Sequence, residues 1–360
     1  MKKILIIDDS ALMRRVMSDI IQSEADVCVA DIAENGFVAA QYIVENRQYD
    51  CILVDINMPK MDGIAFLQFL KEKQCMIPTL VVSSIASRSA KETIRALELG
   101  AYDFVRKPGQ IADTNAKDDF ATQLMQKIRC SFEINNSVMH EEKKQKQKSL
   151  NSSAVKTGKK EVERCKHEKG DIIFIASSTG GPKALQSVIP KFSPDIGCPI
   201  VVVQHMPAGF TRSLADRLNE MSSCKVIEAE DGMVLENGIV YIAKGGFQLS
   251  VSMNVKGEHY LSVKKDEPRN GLRPCADIFL ESLLDSGYRN VLCGVLTGMG
   301  SDGTNGLVQL KKMKKVYTVS QSESTCVVYG MPRSAEKEGV VDIVADLQDI
   351  AHHLMYAKTK

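Results

Sequence analysis

The sequence predicts an α/β protein of two domains, each a parallel sheet wound with helices on both faces. Three observations carry that reading. Short β-branched runs alternate with helix-length amphipathic stretches from residue 1 to about 130, and again from about Gly170 onward. Between the two blocks lies a stretch with little to bury. Glu141 to Lys148 reads Glu-Glu-Lys-Lys-Gln-Lys-Gln-Lys, and Asn151 to Lys160 is polar with Ser, Gly and Lys, so ordering it would not repay its entropy. Finally, 360 residues exceed what one core usually spans. The expected division is a first domain over 1–130, a flexible polar linker over 131–168 and a second domain over 169–358.

In the first block Lys3–Ile7 reads as a strand and Ser10–Ser23 as a helix with Ser10 as its N-cap. Val27–Ala33 and Cys51–Val54 are strands separated by a helix after Gly36. Asp62–Glu72 is a helix, Thr79–Val82 a strand, and Arg88–Leu99 a helix closed by Gly100. Phe104-Val105 is a short fifth strand, followed by a helix from about Asp118 to Arg129. Five such units make a doubly wound, five-stranded parallel sheet. In the second block Asp171–Ala176, Pro199–Val203, Val291–Leu296 and Lys315–Ser320 are strands. Helices are expected from Pro182 to about Ile189, over Phe210–Met221, Asp277–Leu284 and Asn305–Lys312, with one or two more in the tail. Residues 224–263 read as short strands with turns at Asp231-Gly232, Glu236-Asn237-Gly238 and Lys244-Gly245-Gly246.

Composition excludes several classes. A net charge of +1 gives no overall field for nucleic acid or membrane, and the apolar runs are strand-sized, too short to span a bilayer. The N-terminus begins like a signal peptide, but Asp8 and Asp9 end the apolar run too early, so a cytoplasmic protein is expected. Ten cysteines without a Cys-x-x-Cys pair suit reduced thiols in the core.

Polar groups gather at the strand ends of the first block. Asp8 and Asp9 follow the first strand, Asp55 ends the third, Ser83 the fourth, and Lys107 follows the fifth. In a parallel sheet those ends share one edge. Three carboxylates there repel unless a hard divalent cation such as Mg²⁺ lies among them. With an ammonium group and a hydroxyl nearby, the set suits phosphoryl transfer onto a carboxylate. Asp8-Asp9-Ser10, the run Val54-Asp55-Ile56-Asn57-Met58-Pro59-Lys60-Met61-Asp62-Gly63, Ser83 and Lys107-Pro108 resemble a response-regulator receiver domain, which has a flavodoxin-like fold. The resemblance implies a two-component system in which Asp55 accepts phosphate from a chemotaxis histidine kinase. It implies that Asp9, Asp55 and the Asn57 carbonyl hold Mg²⁺ with Asp8 assisting, and that Ser83 and Phe104 shift on phosphorylation.

The second block is organised around Ile172-Ile-Phe-Ile-Ala-Ser-Ser-Thr-Gly-Gly-Pro182, a buried strand, a sharp glycine turn and a proline-led helix. Alone, such a turn also suits a tight connection or a phosphate cradle. Yet Ser178, His205 and Asp302 each fall just beyond a separate strand, and a serine nucleophile needs a base and a carboxylate to orient it. Glycines at 180, 181, 298, 300 and 303 let backbone amides approach a developing oxyanion. No Gly-Lys-Ser/Thr follows the first turn, which excludes a P-loop. Ser178-Thr-Gly-Gly, Gln204-His-Met-Pro-Ala-Gly-Phe-Thr211, Leu296-Thr-Gly-Met-Gly-Ser-Asp-Gly303 and Val328-Tyr-Gly-Met-Pro332 resemble the chemotaxis protein-glutamate methylesterases, the CheB family. That resemblance implies a doubly wound esterase domain with Ser178 as nucleophile, His205 as base, Asp302 as its partner and the Met299 N–H on the oxyanion, with no cofactor. It implies a monomer that demethylates methyl-accepting chemotaxis receptors, and the same chemistry on glutamine is deamidation. Ser178 is preferred to Ser177 because it precedes Thr-Gly-Gly; Gln248 and Cys275 stand where the family commonly has histidine and serine. Competing readings are a DNA-binding regulator, for which the second block is too large and strand-rich, and a receptor-docking adaptor without esterase activity.

Overall fold

The computed structural model describes residues 1–84, 87–109, 114–148 and 170–356. The first sheet is built from β1 (Lys2–Ile7), α1 (Ala11–Gln22), β2 (Val27–Ala33), α2 (Gly36–Val44), β3 (Cys51–Asp55), α3 (Gly63–Glu72), β4 (Thr79–Ser83), α4 (Ser87–Leu99), β5 (Asp103–Arg106) and α5 (Thr114–Lys148). Its strand order is β2-β1-β3-β4-β5, with every pair parallel. Strand alternation sends Leu5 and Ile7 towards α2, α3 and α4, while Ile4 and Ile6 meet α1 and α5. The helix starts follow from their caps: Ser10 Oγ accepts from Met13 N at 3.3 Å and Asp62 Oδ1 from Ala65 N at 2.7 Å.

Helix α5 is longer than its core segment. The sequence allows a helical start to the linker continuing from Arg129, and the helix runs on to Lys148, through the first half of that stretch. Phe132 and Ile134 extend the apolar face past Arg129 and pack on the same cluster as Leu124 and Ile128. Residues 149–169 of that stretch lie outside the described residues.

The second sheet comprises β6 (Asp171–Ser177), α6 (Gly181–Val188), β7 (Ile200–Gln204), α7 (Phe210–Met221), β8 (Lys225–Glu228), β9 (Ile239–Ile242), β10 (Gln248–Met253), β11 (His259–Lys264), α8 (Ala276–Ser282), β12 (Asn290–Val295), α9 (Thr304–Met313), β13 (Lys315–Gln321), α10 (Met331–Lys337), β14 (Ile343–Ala345) and α11 (Ile350–Tyr356). Seven of these strands form a parallel sheet in the order β14-β13-β12-β6-β7-β9-β8. The strands β10 and β11 pair separately as an antiparallel hairpin. Ile173 and Ile175 face α6, α7 and α11, while Ile172, Phe174 and Ala176 face α8, α9 and α10, so the sheet is covered on both sides. The short strand β14 was not foreseen, since three residues show no period.

The chain winds outward from β6 through β7 in one direction and through β12 in the other. The crevice between β6 and β12 is therefore a topological switch point, where α/β sheets place their ligands. The two domains touch: the Phe104 ring on β5 lies 4.5 Å from the Phe210 ring at the head of α7. Beside it Arg217 Nε meets Glu98 Oε1 at 2.5 Å.

Candidate functional site

At the carboxyl edge of the first sheet Asp8 and Asp55 are buried and Asp9 is exposed. One oxygen from each lies within 4.8 Å of the others. Lys107 Nζ bridges the two buried carboxylates, 2.8 Å from Asp8 Oδ2 and 2.9 Å from Asp55 Oδ2. Burial, with Asp8 alongside, pushes the Asp55 carboxyl up to about 6 against the pull of Lys107. Burial alone would lower the Lys107 ammonium, but Asp55 and Asp8 outweigh it and hold it above its ordinary value. Asp8 Oδ2 is buried with Lys107 Nζ as its partner among the described residues. Three carboxylates served by one ammonium group form an all-oxygen donor set that fits a hard divalent cation. Asn57 stands two residues past Asp55, at an exposed position of the following loop. Two expected members engage other groups: Ser83 Oγ accepts from Thr93 Oγ1 at 2.8 Å, and Phe104 packs on Phe210.

The second site lies on three neighbouring strands. Ser178 follows β6, His205 follows β7, and Asp302 ends the loop after β12. Register aligns Ser177 with Gln204, which sets Ser178 opposite His205. Backbone bonds staple the turns together: His205 N donates to Ser177 O and Ser178 N to Thr297 O, both at 3.0 Å. His205 Nε2 lies 2.7 Å from Asp302 Oδ2, with both side chains almost fully buried. That pairing leaves Nδ1 as the ring nitrogen for another partner. Burial alone would raise the Asp302 carboxyl, but hydrogen bonds from His205, Cys275 and Ala276 outweigh it and hold it down to about 2. Among the described residues Ser178 Oγ makes no hydrogen bond, so His205 and Asp302 are in contact while the serine hydroxyl is unengaged.

Of the two adjacent serines, Ser177 has its hydroxyl engaged. Ser177 is fully buried as the last residue of β6, and its Oγ donates to Gln204 Oε1 at 2.7 Å. Gln204 Nε2 in turn donates to Ser178 O at 2.9 Å and His205 O at 3.1 Å, tying the two turns together. Gly181 is required here, because a Cβ at that position would lie 1.9 Å from Gln204 Oε1. The tie was not read from the sequence; only the β6–β7 register shows that Gln204 faces Ser177.

The loop after β12 is clamped at Gly298, immediately before Met299. Gly298 N donates to Val328 O, while Gly330 N and Met331 N donate to Gly298 O. A Cβ on Gly298 would lie 2.8 Å from Ser178 Cβ, so the loop passes directly against the serine. Among the described residues the Met299 N–H has no acceptor. Its side chain meets the other domain: Cys130 Sγ on α5 lies 3.7 Å from Met299 Sδ.

Comparison with known proteins places these features in a lineage. The CheB methylesterase family matches residues 173–354, and the response regulator receiver domain matches residues 4–117. A protein-glutamate methylesterase/protein-glutamine glutaminase of Syntrophomonas wolfei is 39% identical, covering 98% of both chains. One from Bacillus subtilis is 38% identical over 98% of this chain and 97% of its own. The solved catalytic domain of Thermotoga maritima CheB methylesterase is 40% identical, covering 52% of this chain and 98% of its own, with a TM-score of 0.49. With a receiver ahead of a methylesterase domain and relatives matched from end to end, the chain belongs to the protein-glutamate methylesterase/protein-glutamine glutaminase family, CheB.

Proposed function

We propose that this chain hydrolyses glutamyl methyl esters on methyl-accepting chemotaxis receptors, deamidates receptor glutamines by the same chemistry, and is switched on by phosphorylation of Asp55. The observation that carries the esterase reading is the buried 2.7 Å contact of His205 with Asp302 beside the unengaged Ser178. Ser178 Oγ attacks the ester carbonyl as His205 Nδ1 takes its proton, and Asp302 stabilises the imidazolium through Nε2. The Met299 N–H donates to the oxyanion of the tetrahedral intermediate. His205 then protonates the leaving oxygen, methanol departs, and the acyl-enzyme forms. Water, deprotonated by the same imidazole, attacks that ester and releases glutamate and Ser178. Methanol release from methylated receptor membranes tests this: Ser178→Ala abolishes turnover, and turnover equal to wild type refutes it in favour of a docking adaptor.

In the receiver, Asp9, Asp55 and the Asn57 carbonyl would hold Mg²⁺, with Asp8 supporting, and the ion would neutralise charge on the incoming phosphoryl oxygens. Lys107, set between Asp8 and Asp55, binds the phosphoryl group on Asp55. The P–N bond of the kinase phosphohistidine breaks as a P–O bond to Asp55 forms, giving an acyl phosphate on Asp55 and returning the kinase imidazole. In the unphosphorylated chain α4, β5 and α5 rest on α7 and on the Met299 loop through Glu98, Phe104 and Cys130. Phosphorylation favours an arrangement in which those contacts are loosened and the receptor helix reaches Ser178. Asp55→Asn removes the response to a phosphodonor; a wild-type response refutes this control.

A further inference from the structure

Asp302 is held by more donors than its pairing with His205 needs. Oδ2 accepts from His205 Nε2 at 2.7 Å and Ala276 N at 2.6 Å. Oδ1 accepts from Asp277 N and Gly303 N, each at 3.0 Å, and from the Cys275 thiol, also at 3.0 Å. Three of these donors are backbone amides and persist whatever side chains stand there. Among the described residues only the imidazole and the thiol come from side chains. Cys275 is itself fastened, its N–H donating to Gln248 Oε1 at 3.0 Å, while Gln248 Nε2 donates to Glu267 O at 3.2 Å and Leu272 O at 3.0 Å. Both side chains are buried.

We propose that the Cys275 thiol, held in place by Gln248, is a positioning residue that fixes the rotamer and charge of Asp302 towards His205. This rests on the reading of His205 and Asp302 as base and partner. A carboxylate can turn about its Cβ–Cγ bond, and a donor on Oδ1 keeps Oδ2 aimed at the imidazole. The thiol is a donor at working pH, because burial and then Asp302 push it up to about 12, and it is no nucleophile in that form. Among the described residues Asp277 on α8, whose Oδ1 accepts from Gly306 N at 2.7 Å, faces Asp302, and the Arg269–Glu281 pair faces Cys275 and Asp277. All are outside the substitution tested, so they form a constant background.

The test follows methanol release against pH in the full-length chain treated with a phosphodonor. Cys275→Ala lowers kcat about fivefold to tenfold, with KM within about twofold. It also moves the acidic limb of kcat upward by about half a unit, since a carboxylate with one donor fewer favours the imidazolium more. Cys275→Ser, which restores a donor, keeps kcat within about threefold of wild type and moves the limb no higher. Wild-type kcat and limb in Cys275→Ala overturn the proposal, as does a serine variant as slow as the alanine one, which would make the role one of packing. If Cys275→Ala does not fold, the infrared S–H stretch lost in Cys275→Ser decides: a band displaced below the free-thiol position supports the donor, and one at that position overturns it. A Ser178→Ala control separates the two layers, because turnover there refutes the esterase reading, whereas loss there beside a normal Cys275→Ala refutes only the positioning role.

Discussion

Replacing Arg217 with alanine should raise the esterase activity of the unphosphorylated chain by about fivefold. Arg217 on α7 meets Glu98 on α4 across the domain boundary at 2.5 Å, with side chains 36% and 11% exposed. The arginine is open enough for solvent to screen the pair, which puts the contribution near the upper end for surface pairs, about 1 kcal/mol. Glu98 keeps a second partner, Arg95 at 2.8 Å, so the substitution leaves no bare buried carboxylate to inflate the effect. A change of about 1 kcal/mol is close to fivefold in the ratio of closed to open arrangements. The assay is methanol release with and without a phosphodonor. The unphosphorylated rate rises, the phosphorylated rate stays, and added salt raises the unphosphorylated wild-type rate in the same sense. Glu98→Gln gives a similar rise, and the double variant rises by less than the product of the two. Unchanged unphosphorylated rates in both single variants would refute the reasoning, as would an equal change in the phosphorylated rate, which would place Arg217 in the chemistry of α7's own domain.

Three further outcomes follow from the site. Asp302→Asn lowers kcat by about 10³-fold or more through loss of imidazole orientation and imidazolium stabilisation. It also alters acid stability. The Asp302 carboxyl is held down to about 2 in the fold, so its contribution is complete above the ordinary carboxylate value, about 3.9, and fades as pH falls towards about 2. The stability gap between wild type and variant in urea melts should therefore narrow over that interval; a gap constant with pH contradicts the assignment. Gln204→Leu strands the buried Ser177 Oγ and frees both turns, costing about 1–3 kcal/mol in denaturant melts and lowering kcat; an unchanged midpoint contradicts the tie. Gly181→Ala puts a Cβ on Gln204 Oε1 and should lower kcat by about tenfold or more while KM changes little, because it displaces the serine turn; a wild-type rate would show that the turn relaxes without moving Ser178.

Much of the architecture was legible because most of the buried strands are short apolar runs rich in β-branched residues. Ile172–Ala176 and Pro199–Val203 announce themselves, and so do the residues that follow them. What could not be read was adjacency. His205 and Asp302 are 97 positions apart, and only the order β12-β6-β7 makes their strands flank that of Ser178. The preference for Ser178 over Ser177 rests on the Thr-Gly-Gly that follows; that the Ser177 hydroxyl is taken by Gln204 depends on register. The amides of Ala276 and Asp277 on Asp302 come from the first turn of α8, whose sequence carries no sign of what it caps. How far α5 continues past Arg129 could not be read from the charge-rich stretch that follows; Phe132 and Ile134 extend its packed face. The strand β14 was lost because pairing with β13, not its own pattern, makes it a strand.

Met299 divides its labour between main chain and side chain. Its amide meets no acceptor among the described residues and is the group proposed for the developing negative charge, while its thioether rests against Cys130 of the receiver. An amide hydrogen is common to every residue except proline, whereas the thioether belongs to methionine alone. On the proposed mechanism restraint and chemistry occupy one position yet answer to different atoms, so mutation can retune how firmly the receiver grips this loop without touching the proposed donor.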